Sequence, residues 1–463
     1  MPALIGSLEF SWGWSVGEAV VGRNLYYALA LPLGKMSLHA RLAGMSLAKL
    51  SLDDKGMPTD KAMSKKLLMC ALPAHAQLSP SFLLRQHIDP FNLKHGLNSL
   101  NFVQAVSTEL QEHGESDILI SFALHHCSLF NAMAVQNFSN FALLKSFNYV
   151  LDLKVALQTC ALFGNTRLKR ITNLNQVAKD LGYSKDLTNQ INRVEALHYV
   201  YQYLLSHDPK IMAFLTLSRQ QRLNLTKGPY FVHLDDQGLG IIKLLAQSPE
   251  GHLLKALKCN GKELTVITIN LDLAPLVAPL GILTVERQQT LHFDVASIIA
   301  RLDSVKFSDL LSCKDLERLT AEVSTEDSAE DDAALGLEER CYAHLCAFSE
   351  QDMSIDERFV SELSDKERQV WESLASHEAP NQDYATLVEQ TSPKFASMVL
   401  CYLNENFSSQ CFAPEHERYV QYCRALQERC APIYLKECQM LYQNLPESDV
   451  KGMALLGRIA SYY

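Results

Sequence analysis

Apolar residues recur at helical spacing as far as Pro229, then alternate or gather in β-branched runs as far as Asp294, and afterwards return to helical spacing. That change of period constrains the fold more than composition does. It predicts a mainly α chain with a small antiparallel β subdomain, an α+β arrangement that closes on a helical C-terminal domain. The alternating runs YFVHLD, LGIIKLLA, LLKALKC and ELTVITINL are divided by turn signals. Asn260-Gly261 is the sharpest of these, because both residues tolerate the positive φ of a tight hairpin. The expected organisation is a helical region over 1–228, a β subdomain with a trailing helix over 229–320, an acidic linker over 321–339 and an acidic α-helical domain over 340–463.

Within the first region, Val16 to Leu31 reads as a buried helix. LNSLNFVQAVSTELQEHG reads as a helix closed by Gly114, and SDILISFALHHCSLFNAMAVQNF as a second one beginning at Ser116. SFNYVLDLKVALQTCALFG supplies one more. After Glu339 the Ser354-x-x-Glu357 and Ser364-x-x-Glu367 spacings read as capping boxes, each opening a helix.

Residues 171–205 carry the most specific pattern. Leu174, Val177 and Leu181 place an apolar stripe on one helix, and Leu187, Ile191 and Val194 place one on the next. Gly182 stands between them as the residue able to take a positive φ, and Ser184 is placed to cap the second helix. The run VAKDLGYSKDLTNQINRV resembles the helix-turn-helix of ParB-like partition proteins and, less closely, of AraC-type activators. The resemblance implies that Lys179, Ser184, Lys185, Asn189, Gln190 and Arg193 face duplex DNA, with the adjoining Lys169 and Arg170 on its phosphates. Val177, Ala178, Leu181 and Ile191 are expected to be buried.

Charge supports a polyanion partner for this region. From Lys145 to Lys227 there are twelve Lys and Arg against five Asp and Glu, inside a chain of net −10. Residues 1–320 hold 31 basic and 26 acidic residues, whereas residues 321–463 hold 11 and 26, which suggests a protein partner for the acidic part. The N-terminus lacks the pattern of a secretory signal, no run of eighteen apolar residues occurs, and the twelve cysteines include no Cys-x-x-Cys pair. A cytoplasmic protein with reduced thiols and no membrane association is expected.

No phosphate loop, Gly-x-Ser-x-Gly or His-Glu-x-x-His motif is present. His125, His126 and Cys127 are adjacent and point to different sides of a helix. His233 with Asp235 and Asp236, and His292 with Asp294, read as polar strand ends. Cys341, His344 and Cys346 lack a second ligand pair at zinc spacing. No catalytic residue, metal site or cofactor is therefore assigned. The sequence reads as a nucleic-acid-binding protein of regulatory, partition or mobile-element type; the alternative is a non-catalytic helical subunit or adaptor of a larger assembly.

Overall fold

The computed structural model describes residues 24–34, 41–52, 63–168, 170–224, 228–235, 238–261, 263–324, 336–349, 351–378, 383–411 and 413–462. They fall into two compact units. Unit I comprises 24–148, 170–203 and 354–462; unit II comprises 149–168 and 204–353.

Unit I is built on strands β1 (Leu25–Pro32), β2 (Leu42–Leu50), β3 (Ser64–Met69) and β4 (Ile118–Ser121), hydrogen-bonded in the order β3-β2-β1-β4. β1 pairs antiparallel with β2, Leu25 opposite Leu50, and parallel with β4, Leu25 opposite Ile118. Every residue of β1 and β4 is buried. Burial on both faces produces an unbroken apolar run in place of an alternating one, and such a run has no strand period to read.

The expected fold class is therefore corrected. The chain is not mainly α with one small β subdomain, because a mixed sheet lies inside the region expected to be helical. The stretch expected as a helix ending at Leu31 is strand β1 from Leu25 onward, and its residues 16–23 lie outside the described set. The helix expected from Ser116 is strand β4 followed by a helix over Ser128–Gln136.

The C-terminal helices complete unit I and do not form a domain of their own. Phe138 and Leu100 from the N-terminal part share a core with Phe359, Trp371, Phe395 and Tyr402. A second core joins Leu31, Ala43, Leu83, Ile88 and Leu93 to Tyr434, Cys438, Leu456 and Ile459. Both capping boxes form, at Ser354 with Glu357 and at Ser364 with Glu367. Glu367 also accepts hydrogen bonds from the Ser392 amide (2.9 Å) and hydroxyl (2.6 Å), so one carboxylate caps two helices.

Burial alone would raise the Glu367 carboxyl, but its bonds from Ser392 and Ser364 hold it at about 2. Glu357, likewise opposed by burial, is held at about 2 by Lys145 and Ser354. A carboxyl lower in the folded than in the unfolded chain stabilises above its unfolded value, and the gain is lost as pH falls toward the folded one. The contribution of these two carboxylates to the unfolding free energy should be flat above pH ~5 and decline between ~4.5 and ~2, in a slope that Glu367→Gln makes shallower by about one proton. Urea unfolding across that pH range measures it.

Unit II contains β5 (Tyr149–Asp152), β6 (Tyr230–Asp235), β7 (Gly238–Gln247), β8 (Leu253–Cys259), β9 (Leu264–Asn270) and β10 (Leu276–Pro279). β10-β6-β7-β8-β9 is antiparallel throughout. Phe231, Ile242, Leu254, Ile269 and Val277 form its core. Gly261 at φ 92° turns the chain between β8 and β9. Asp152 caps the helix Leu153–Phe163 through the Lys154 amide (2.8 Å), so the stretch expected as one helix is a strand and then a helix. Most of the acidic run, from Thr325 to Leu335, lies outside the described residues.

Candidate nucleic-acid interface

Two of the four basic side chains of residues 170–193, Lys185 and Arg193, are committed to the protein itself. One helix runs Leu174–Asp180 and the next Gln190–His207. Nine residues separate them, where a helix-turn-helix has three or four. Gly182 does take a positive φ, 94°, and Val177 and Ala178 are buried, while Leu181 and Ile191 are only partly so. Ser184 is exposed and does not cap the second helix; the Asn189 side chain accepts from the Ile191 amide at its start (2.9 Å).

Arg193 is 6% exposed. Its Nη1 donates to Gln86 Oε1 (2.5 Å) and Gln190 Oε1 (2.7 Å), and its Nε donates to Asn175 Oδ1 (3.2 Å). Burial lowers its pKa to about 10. Gln190 Nε2 donates to the Gln86 carbonyl (2.6 Å). Neither is open to a base edge, which corrects the reading role expected of them. Lys185 is paired with Glu195 (2.5 Å), which Lys65 also contacts. Glu195 is held at about 2: burial opposes the shift and the two lysines impose it. Arg170, Lys179 and Asn189 are exposed, and Lys169 lies outside the described residues. Gly182→Val is expected to cost about 1–3 kcal/mol, since valine at φ 94° is strained; urea unfolding of the variant checks it.

A different segment of unit I sets partly exposed aromatic rings beside cations. Pro80 opens the helix Pro80–Gln86, which ends at His87 with φ 54°. Asp89 then accepts from the Phe91 amide (3.0 Å) to start the 3-10 turn Pro90–His95. Leu83, Ile88 and Leu93 anchor this segment in a core. Two aromatic rings consequently stand three residues before a cation on the outer face, Phe82 before Arg85 and Phe91 before Lys94. The Arg85 guanidinium lies 5.4 Å from the Phe82 ring centre, and Lys94 Nζ lies 5.6 Å from that of Phe91. Arg458, ion-paired to Asp89 (2.6 Å), is 5.9 Å from Phe91, whose ring packs edge-on to Tyr462 at 5.4 Å. His126 packs edge-on to Phe82, with His125 beside it at 4.2 Å. Phe82, Phe91 and Tyr462 are partly exposed.

Sequence reasoning missed this segment. The repeated aromatic-to-cation spacing of three, in Phe82/Arg85 and Phe91/Lys94, was the available signal.

The other polar groupings serve the fold. His233 is buried, its Nδ1 2.9 Å from the Leu276 carbonyl, and Asp235 pairs with Lys258 (2.6 Å); Asp236 lies outside the described residues. Asp294 caps a helix through the Ser297 amide (3.1 Å), and His292 ends the preceding one at φ 51°. Among the described residues no three His, Cys, Asp or Glu side chains are grouped closely enough to share a metal ion, Cys341, His344 and Cys346 included. No described helix is long and apolar enough to cross a membrane.

No family model and no curated protein matches this sequence. Solved structures do match. A crystal structure of E. coli exonuclease I in complex with a dA16 oligonucleotide superposes with a TM-score of 0.68 at 14% identity, covering 95% of this chain and 99% of that one. The SSB/exonuclease I structure with inhibitor CFAM gives 0.70 at 14% identity, with 95% and 98% covered. The exonuclease I structure described as suggesting how processivity is achieved gives 0.69 at 15%, again with 95% and 98% covered. Across nearly its whole length, the chain has the fold of exonuclease I.

Proposed function

We propose that the chain binds single-stranded nucleic acid and that residues 80–95 of unit I, with Arg458 and Tyr462, supply stacking and phosphate contacts. The observation that carries this reading is the pair of partly exposed rings with a cation at i+3, on a fold whose solved counterpart holds a dA16 oligonucleotide. Stacking on aromatic rings needs unpaired bases and tolerates any sequence, because every base has a π face. Neighbouring Lys and Arg side chains draw in the backbone, and they make affinity fall as salt rises. Duplex bases are already stacked on one another and cannot use such rings.

The activity proposed is binding. Two-metal phosphodiester cleavage uses grouped carboxylates, whereas neither β1 nor β4 carries a carboxylate and the described residues hold no group of three metal-ligating side chains. Fluorescence anisotropy with a labelled thymidine 30-mer and with the corresponding duplex tests the proposal. Tighter binding of the single strand by roughly tenfold or more, with a negative salt slope, is the result expected of a stacking platform. Equal or tighter binding of the duplex contradicts it. Shortening of the labelled strand in Mg2+ or Mn2+ replaces binding with hydrolysis as the activity.

A further inference from the structure

Unit I contains a second polar site that the proposed strand contacts do not use. Arg41 stands at the start of β2 and is 4% exposed. Its Nη2 donates to Glu405 Oε1 (2.9 Å) and lies 2.9 Å from His75 Nε2. Glu405 in turn accepts from Ser99 Oγ (2.6 Å) and sits 3.1 Å from His75 Nε2. This fixes one corner of the guanidinium and leaves the rest of it unanswered: Arg41 Nε and Nη1 are buried without an acceptor. The buried Tyr402 hydroxyl also lacks a partner, and burial pushes its pKa up to about 12, so it remains a donor at neutral pH.

These groups line one pocket of about 30 Å3, with Ser397 and Lys394 on its wall. A water molecule needs roughly 10–15 Å3 by this measure, so the pocket is roomier than one water requires. Lys394 is exposed and its ion pair with Glu362 is a surface one (2.8 Å), free to exchange for another anion at little cost. Burying donors of a charged group unpaired is costly, and oxygen acceptors on an anion relieve that cost best.

We infer that this pocket binds a small tetrahedral oxyanion, a phosphate group, on Arg41 with Tyr402 and Lys394 as further donors. Glu405 balances the charge of Arg41 through Nη2 and leaves Arg41 Nε and Nη1 as hydrogen-bond donors, while Lys394 at the rim supplies the positive charge once it exchanges Glu362 for the anion. The phosphate is either inorganic or the terminal phosphate of a nucleotide, both of which present the same oxygens.

The test is thermal unfolding and 31P NMR line broadening of the full chain with inorganic phosphate, with 5′-phosphorylated thymidine dinucleotide, and with the same dinucleotide lacking the phosphate. Sodium chloride at matched ionic strength is the control. A saturable rise in melting temperature with half-effect below about 10 mM is expected for one or both phosphate-bearing probes, and which of them acts identifies the source. Tyr402→Phe keeps the ring, and Lys394→Ala alters only the exposed rim, so both should fold; each should weaken phosphate by about 5- to 10-fold. Arg41→Gln, where circular dichroism shows it folded, should abolish the effect. The inference is overturned if the wild-type chain responds to chloride and phosphate alike, if the unphosphorylated dinucleotide acts as well as its phosphorylated form, or if Tyr402→Phe and Lys394→Ala both leave phosphate affinity unchanged.

Discussion

A chain ended at Met353 is expected to lose cooperative unfolding of unit I, despite retaining every strand of its sheet. Trp371 shows why. It is buried against Phe138, ring centres 5.1 Å apart, and against Phe359 at 6.3 Å, and its indole N–H donates to Asn140 Oδ1 (3.3 Å). The truncation removes Trp371 together with Phe359, Phe395, Val399 and Tyr402 from one core, and Tyr434, Leu456 and Ile459 from another. A single large-to-alanine change at such a site costs about 3–5 kcal/mol, of the same order as the stability of a whole domain. Trp371→Ala alone should therefore shift the urea midpoint of unit I sharply, and the truncation should abolish its transition. A truncated chain that keeps a cooperative transition with buried Phe138 would show that residues 354–463 are dispensable to the fold.

The second large effect concerns binding. Phe91→Ala combined with Tyr462→Ala is expected to weaken single-stranded DNA binding by about 30-fold or more, since each base–ring stack contributes roughly 1–3 kcal/mol. Both rings are partly exposed, so the stability cost should be modest and thermal unfolding serves as the control. Lys94→Ala is a contrasting change: it should lower affinity less and reduce the salt slope by about one. Unchanged affinity in the double variant would remove the stacking role.

The sequence disclosed its antiparallel half more readily than its mixed sheet. β6 to β9 announce themselves by alternation and by Asn260-Gly261, whose glycine takes the positive φ the turn needs. The capping boxes at Ser354 and Ser364 are local chemistry and form as spaced. β1 and β4 are buried on both faces and carry no charged residue, so their runs of Leu, Tyr, Ala and Ile fit a helix as well as a strand. The pairing of Phe138 with Trp371 and Phe395 joins residues more than two hundred positions apart, and no local pattern reports that.

The packing of the residues expected to face DNA escaped the sequence for a related reason. Arg193, Gln190 and Lys185 have the side chains of a base-reading helix, but Gln86 from a distant segment satisfies the first two and Glu195, on the helix Gln190–His207, pairs with the third. Phe82, Arg85, Phe91 and Lys94 carry a weaker sequence signal and remain on the surface because Leu83, Ile88 and Leu93 hold their backbone from beneath.

Photo-crosslinking of the full chain to single-stranded DNA carrying 5-bromodeoxyuridine, with peptides identified by mass spectrometry, tests the central claim most directly, because a stacked base reacts with the ring it touches. Cross-links at Phe82, Phe91 or Tyr462, lost in the alanine variants, are the result predicted. Cross-links confined to residues 170–193, with none in 80–95, would contradict it.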